Sequence, residues 1–159
     1  MPGSMINDYR RPTHGIDRPA WTWIAPEARE RITVDIRRVV PNISSDRLEE
    51  SRAFYVDLLG FEVAMDLGWI VTVASPTNPA AQISLMRQDA AAPMQPQISI
   101  EVADVDAVYV AMQHDAEIVY PLTDESWGVR RFFVVDPNGV VVNVVSHQGA
   151  SAPPTASKP

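Results

Sequence analysis

The stretch Trp127–Ser146, WGVRRFFVVDPNGVVVNVVS, constrains this chain more tightly than any other. Valine and phenylalanine crowd both sides of Asp136-Pro137-Asn138-Gly139, which predicts two strands joined by a tight reverse turn. Proline fixes φ at about −65° for the first corner. Asn suits the second corner, and Gly takes the left-handed position after it. Because that proline excludes the primed two-residue turns, the loop is expected to hold three residues and close with a glycine bulge. Loop length then sets the register: Asp136 opposite Val140, Val135 opposite Val141, Phe133 opposite Asn143. One face of the hairpin carries Arg131, Phe133, Val135, Val141, Asn143 and Val145. The other carries Arg130, Phe132, Val134, Val142 and Val144. Asn143 is the odd residue, a polar side chain in a valine-rich strand.

The rest of the chain divides around this hairpin. Residues 1–30 are rich in Pro and Arg, with Trp21, Trp23 and Ile24 as the apolar exceptions, and read as an arm. Residues 148–159 are small, polar and proline-rich, and read as a disordered tail. Between them, residues 31–147 alternate as one domain in two halves, about 31–88 and 97–147. In the first half Ile32, Val34, Ile36 and Val40 mark a strand ending at Pro41-Asn42. Asp46 is placed to cap a helix over 47–59, with Glu49 completing a capping box and Leu48, Tyr55, Leu58 and Leu59 inward. Gly60 stops it. Strands follow over 62–66, 69–74 and 81–87, with a turn at Leu67-Gly68. The second half repeats the order: a strand over 97–102, a helix capped by Asp104, a short strand over 117–120, then the hairpin. The caps Asp46 and Asp104, and the turns Ser75-Pro76 and Asp136-Pro137, each recur about 60 residues apart, as in a duplicated βαβββ unit.

Composition narrows the function classes. Cysteine is absent, which removes disulfides, thiolate nucleophiles and thiolate metal sites. A formal charge of −7 argues against a nucleic-acid partner, which needs a basic face. No apolar run reaches membrane-spanning length and no signal-peptide pattern opens the chain, so a cytoplasmic protein without a membrane partner is expected. Three histidines are a poor stock for catalysis or metal binding: His14 falls in the arm, His114 at a helix C-terminus and His147 just beyond the last strand.

The segments PNISSDRLEESRAFYVDLLGFEV, ISIEVADVDAVYVAMQ and DESWGVRRFFVVDPNGVVVNVV together resemble the vicinal oxygen chelate superfamily of glyoxalase I, bleomycin-resistance proteins, fosfomycin-resistance enzymes and extradiol dioxygenases. The resemblance covers about Ile32 to Ser146. It implies an α+β fold in which two tandem βαβββ modules form a cupped mixed sheet, with helices on the convex side and the ligand on the concave side. It also implies a homodimer. Metal-binding members place His, Gln or Glu at four concave positions, which by motif spacing fall here on Val40, Ser84, Gln97 and Asn143. Valine does not ligate, Ser and Asn are weak neutral donors, and one glutamine amide does not hold a divalent ion against its hydration. No metal and no cofactor is therefore expected, and the closest match is to the metal-free bleomycin-resistance-like members.

Strand alternation puts Gln82, Ser84, Gln97, Ser99, Glu101, Arg131, Phe133 and Asn143 on the second face of the sheet, with Trp127 near its rim. Phe133, Val135, Val141 and Val145 are too apolar for free exposure there, and apolar walls with a few hydrogen-bonding groups describe a small-molecule pocket. Trp127 either stacks on a planar ligand or packs under its loop. Arg131 either pairs with Glu101 across the cup or binds a ligand anion. The leading expectation is a metal-free protein sequestering an aromatic or antibiotic-like ligand, with no catalytic residue assigned. The competing ones are a lyase, isomerase or dioxygenase-type enzyme with a non-standard site, in which Glu101 is the one carboxylate available, and an interaction module whose cup another chain fills.

Overall fold

A computed structural model describes residues 33–148; the arm, with Trp21 and Trp23, and the tail beyond Gln148 lie outside the described residues. The elements are β1 (Ile36–Ser44), α1 (Leu48–Ala53) running into a wider π turn (Phe54–Leu58), β2 (Glu62–Asp66), β3 (Ile70–Ala74), β4 (Gln82–Met86), β5 (Ile98–Val102), α2 (Val105–Met112), β6 (Glu117–Asp124), β7 (Val129–Val135) and β8 (Val141–His147). All eight strands join one mixed sheet in the order β2-β3-β4-β1-β5-β8-β7-β6. Two pairings are parallel, β1 with β4 and β5 with β8, and the others are antiparallel. No helix of the described residues is long and apolar enough to cross a membrane.

The hairpin forms in the expected register. Val135 faces Val141 and Phe133 faces Asn143. At the turn the Asp136 N–H donates to the Val140 carbonyl at 2.9 Å, and Gly139 takes a φ of +86°. The Asp136 carboxylate accepts from the N–H groups of Asn138 and Val140, both at 2.8 Å. Asp104 caps α2 as expected, accepting from the Ala107 N–H at 2.9 Å.

The first half departs from expectation at its helix. Asp46 does not cap it; the Ser45 hydroxyl accepts from the Arg47 N–H and bonds the Ser51 hydroxyl at 2.7 Å. Past Ala53 the helix widens into the π turn, which inserts residues relative to a regular period and rotates the side chains beyond it about the helix axis. Leu58 and Leu59 consequently face solvent, 74% and 56% exposed, and Val56 joins Tyr55 against the sheet instead. Gly60 still ends the element at φ +75°.

β1 runs to Ser44, past the expected stop, and carries a proline in the middle of the sheet. Up to Pro41 it pairs with β5; from Asn42 it pairs with β4. The Asn42 N–H points to the β5 side, where it meets the Gln97 carbonyl at 2.8 Å. The nitrogen of Pro41 therefore points towards β4, where the ladder has not yet begun, so its missing N–H breaks no bond there. β6 is also longer than expected. It tolerates Pro121 because it is an edge strand with two irregularities in register.

One face of the sheet receives the helices. Leu48 packs on Val71, Val73 and Leu85; Val105 and Val108 pack on Phe132, Val134 and Val144, with the rings of Tyr109 and Phe132 edge-on at 5.1 Å. The residues alternating with these point to the opposite face.

Two measurements check this account. In urea denaturation Leu48→Ala is expected to cost about 2–5 kcal/mol, whereas Leu58→Lys, on the rotated turn, changes stability by no more than about 0.5 kcal/mol. The Val140 N–H, helped by that of Asn138, holds the Asp136 carboxyl below the usual aspartate range. Its contribution is present above the unfolded aspartate range and is lost as pH falls through the lowered native value. The stability gap between the wild type and Asp136→Asn is therefore expected to close on acidification.

Candidate functional site

The face opposite the helices holds a cavity of about 390 Å³. Its floor is built where strands lie in register across the middle of the sheet. Val40 faces Ser99 between β1 and β5, Ser99 faces Asn143 between β5 and β8, Asn42 faces Ser84 between β1 and β4, and Thr72 faces Ser84 between β3 and β4. The Ser99 hydroxyl is the hub. It accepts from the side-chain amides of Asn42 and Asn143, both at 2.9 Å, and donates to Asn42 Oδ1 at 3.3 Å. Thr72 and Ser84 share a buried hydroxyl–hydroxyl bond at 2.9 Å. Asn143 is buried, and its Oδ1 has no hydrogen-bond partner. The apolar walls include Met65, Leu67, Ile70, Met86, Val129 and Val145. Trp69 and Trp127 meet edge-on at 5.5 Å and line the same cavity.

About two residues along β4, β1 and β5 from this floor, roughly 7 Å, runs a row of polar and charged side chains that His147, further along β8, completes. Arg38 and Glu101 are register partners on β1 and β5. Arg38 Nε and a terminal nitrogen each lie 2.7 Å from Glu101 Oε2, and its other terminal nitrogen donates to Gln82 Oε1 at 2.8 Å. Glu101 Oε1 lies 3.0 Å from His147 Nδ1. Arg38, Gln82 and His147 line the cavity, while the Glu101 side chain between them is 13% exposed.

Arg131 does not pair with Glu101. It is buried on the far side, with Nε 2.7 Å from Glu125 and a terminal nitrogen 2.7 Å from Asp89. The rings of Tyr120, Trp127 and Phe133 lie within 5.5 Å of its guanidinium carbon. Tyr120 donates its hydroxyl to Glu125, and burial, reinforced by that carboxylate, pushes the phenol above its ordinary range. Asp89 begins the stretch leading to β5, so this ion pair pins the segment over the sheet. Ala92 then covers Phe133 and Val141, and Phe133 is fully buried rather than lining the pocket. The apolarity that argued for a pocket is thus partly answered by the chain's own loop.

Of the residues singled out from sequence, Gln82, Ser84, Ser99, Trp127, Arg131 and Asn143 come together around the cavity. Gln97 does not. It precedes β5, and its side chain accepts from the Val141 N–H at 2.8 Å as a backbone tether. Glu101 sits behind Arg38 and His147. Sequence reasoning missed Arg38, Asn42, Thr72 and Trp69. Arg38, Val40 and Asn42 form a two-residue alternation that would have revealed the first two had the strand been carried past Pro41. His147 is the last residue of β8 rather than lying just beyond it.

The residues at the four positions where the superfamily's metal would be held do not fit a divalent cation. Val40 has no donor atom, and the Ser84 hydroxyl is engaged with Thr72. The residue in register with Asn143 is Ser99 rather than Gln97, and either choice leaves the set neutral. Among the described residues no three His, Cys, Asp or Glu side chains cluster as a metal site.

A buried cation facing two buried carboxylates makes a sharp prediction. Arg131→Met strands Asp89 and Glu125, and is expected to cost about 3–5 kcal/mol in chemical denaturation. It also frees the segment over Phe133, which limited proteolysis reads as new cleavage between residues 87 and 97.

Comparison with known proteins agrees with this architecture. The glyoxalase/bleomycin resistance protein/dioxygenase superfamily model matches residues 36–144. No curated protein matches the sequence significantly. Among solved structures, a member of that superfamily from Vibrio splendidus 12B01 is similar at 22% identity and a TM-score of 0.55, over 72% of this chain and 99% of that one. A Legionella pneumophila structure described as NAD-dependent benzaldehyde dehydrogenase is 18% identical, with a TM-score of 0.56, over 69% of this chain and 99% of that one. The E323L mutant of homoprotocatechuate 2,3-dioxygenase from Brevibacterium fuscum is 21% identical at a TM-score of 0.54; 72% of this chain matches 33% of that longer one. At such identities these likenesses speak to the fold alone. With the family model spanning most of the chain, the protein belongs to the glyoxalase/bleomycin resistance protein/dioxygenase superfamily.

Proposed function

We propose that this protein is a metal-free small-molecule binder of its superfamily, sequestering an aromatic, antibiotic-like ligand in the cup of its sheet. The observation that carries the reading is the cavity floor. Where a metal enzyme needs convergent anionic or imidazole donors, Asn42, Thr72, Ser84, Ser99 and Asn143 offer a neutral hydrogen-bonding surface. Apolar walls, two tryptophans and a volume of about 390 Å³ suit a planar molecule. Asn143 lines the cavity, with its side-chain amide donating to the Ser99 hydroxyl.

The same reading takes the sheet as two tandem βαβββ modules with helices on the convex side, and the chain as a cytoplasmic homodimer. Light scattering that returns a monomer would remove the dimer from it.

A thermal-shift screen over zinc, nickel, manganese, iron and planar aromatic antibiotics tests the proposal, because a ligand that binds the native state raises the melting temperature. The expected result is stabilisation by an aromatic and none by the metals. Stoichiometric metal retained after desalting would reject the metal-free reading. For an aromatic that binds, Asn143→Val is expected to weaken affinity about tenfold, with stability unchanged or raised because an unsatisfied buried acceptor is removed. A second reading, an enzyme of the lyase, isomerase or dioxygenase type, is favoured by one observation: Glu101 has a histidine partner in the cavity wall.

A further inference from the structure

The row Gln82–Arg38–Glu101–His147 crosses four strands, β4, β1, β5 and β8, and is joined by side-chain hydrogen bonds and ion pairs. Its parts are arranged in order. Arg38 occupies Glu101 Oε2, at 2.7 Å, and is itself steadied by Gln82. That leaves Oε1 to accept from His147 Nδ1 at 3.0 Å. A carboxylate on Nδ1 selects the tautomer with its proton there, which leaves the Nε2 lone pair free. Among the described residues Nε2 has no hydrogen-bond partner, and the ring, 44% exposed, lines the cavity beside Val145 and Val129. With Arg38 positive and Glu101 negative, the row is neutral until the imidazole takes a proton, and the resulting cation then lies against Glu101. The other charged side chain lining the cavity, Arg131, is already paired with Asp89 and Glu125.

We propose that His147 is a proton acceptor for the ligand, with Glu101 and Arg38 as its positioning residues, and that the ligand is a planar acid carrying an ionisable hydroxyl, such as an acidic phenol or enol. On binding, the ligand O–H bond breaks and its electron pair stays on oxygen. The proton forms the Nε2–H bond, and Nδ1–H remains on Glu101. The products are a bound oxyanion and an imidazolium, with no other reactant required. This rests on the cup being a small-molecule pocket.

The probe is 4-nitrophenol, whose ionised form has its own visible band, with 4-nitroanisole as the matched molecule that has no proton to give. Binding is measured by equilibrium dialysis below the pKa of the free dye, and the phenolate band is expressed per mole bound, which separates ionisation from affinity. The wild type is expected to bind both and to show the band with nitrophenol. His147→Gln is expected to lower the band per mole bound by roughly tenfold or more, the equivalent of at least one pKa unit. Glu101→Gln is expected to lower it partially, with Glu101→Asp restoring part of the loss. Binding of neither dye overturns the pocket and this proposal with it. Binding of both without the band, or a band that survives in His147→Gln, overturns the proton acceptor and leaves the pocket standing. Nitrogen-15 spectra of the wild-type histidine rings provide a check that needs no variant. In its neutral form His147 is expected to carry its proton at Nδ1 and to be bare at Nε2, and the opposite tautomer refutes the arrangement.

Discussion

The pairing of β1 with β5 is the interaction on which the rest of this molecule depends. Without it the strands would form two separate four-stranded ladders, β2-β3-β4-β1 and β5-β8-β7-β6. Joined antiparallel, they make one sheet, and the register of that seam decides what meets what. Arg38 falls opposite Glu101 and Val40 opposite Ser99. From there the parallel pairs on either side bring in Ser84 on β4, in register with Asn42, and Asn143 on β8, in register with Ser99, while the side chains of Gln82 and His147 reach Arg38 and Glu101 diagonally. The handover at Pro41 is part of the same device. A residue without an N–H is placed at the point where β1 changes partners.

A sheet with helices on one face must still do something with the other. Here the second face is divided into three chemical zones. A neutral floor centres on the Ser99 hydroxyl, an ionic row runs above it, and a buried cation cluster closes one side. The cluster around Arg131 is a poor source of net stability, because three charges are taken out of water to form it. Its effect is geometric. Fixing Asp89 fixes the segment that shields Phe133, and this turns part of an apolar face into core and leaves the remainder as a bounded cavity.

The division explains how a superfamily known for metal chemistry can carry a chain whose central donors are amides and hydroxyls. The sheet supplies convergent positions whatever side chains occupy them. Carboxylates and imidazoles there would make a cation site; Asn42, Ser99 and Asn143 make a neutral surface whose side chains hydrogen-bond one another. The ionisable residues are displaced to the row above, where each has a stated partner and only the far nitrogen of His147 has none among the described residues.

By itself the sequence determined whatever depends on a few neighbouring residues. The Asp136–Gly139 turn set the hairpin register to the residue, Asp104 capped its helix and Gly60 stopped the other, because φ restriction and short-range hydrogen bonds act within a turn of chain. Strand alternation likewise brought Gln82, Ser84, Ser99, Arg131 and Asn143 to the cavity. Tertiary structure decided the partners. Arg131 went to Asp89 and Glu125 rather than Glu101, Gln97 to a backbone N–H, and Phe133 beneath a loop, since these choices depend on which strands lie side by side and what crosses over them. The widening of α1 belongs to the same class: no local residue forbids a regular helix there, yet the widened turn brings Val56 to the sheet and turns Leu58 and Leu59 out to water. Local stereochemistry is written in adjacent residues, whereas a side chain's partner is settled only when distant segments compete for the same space.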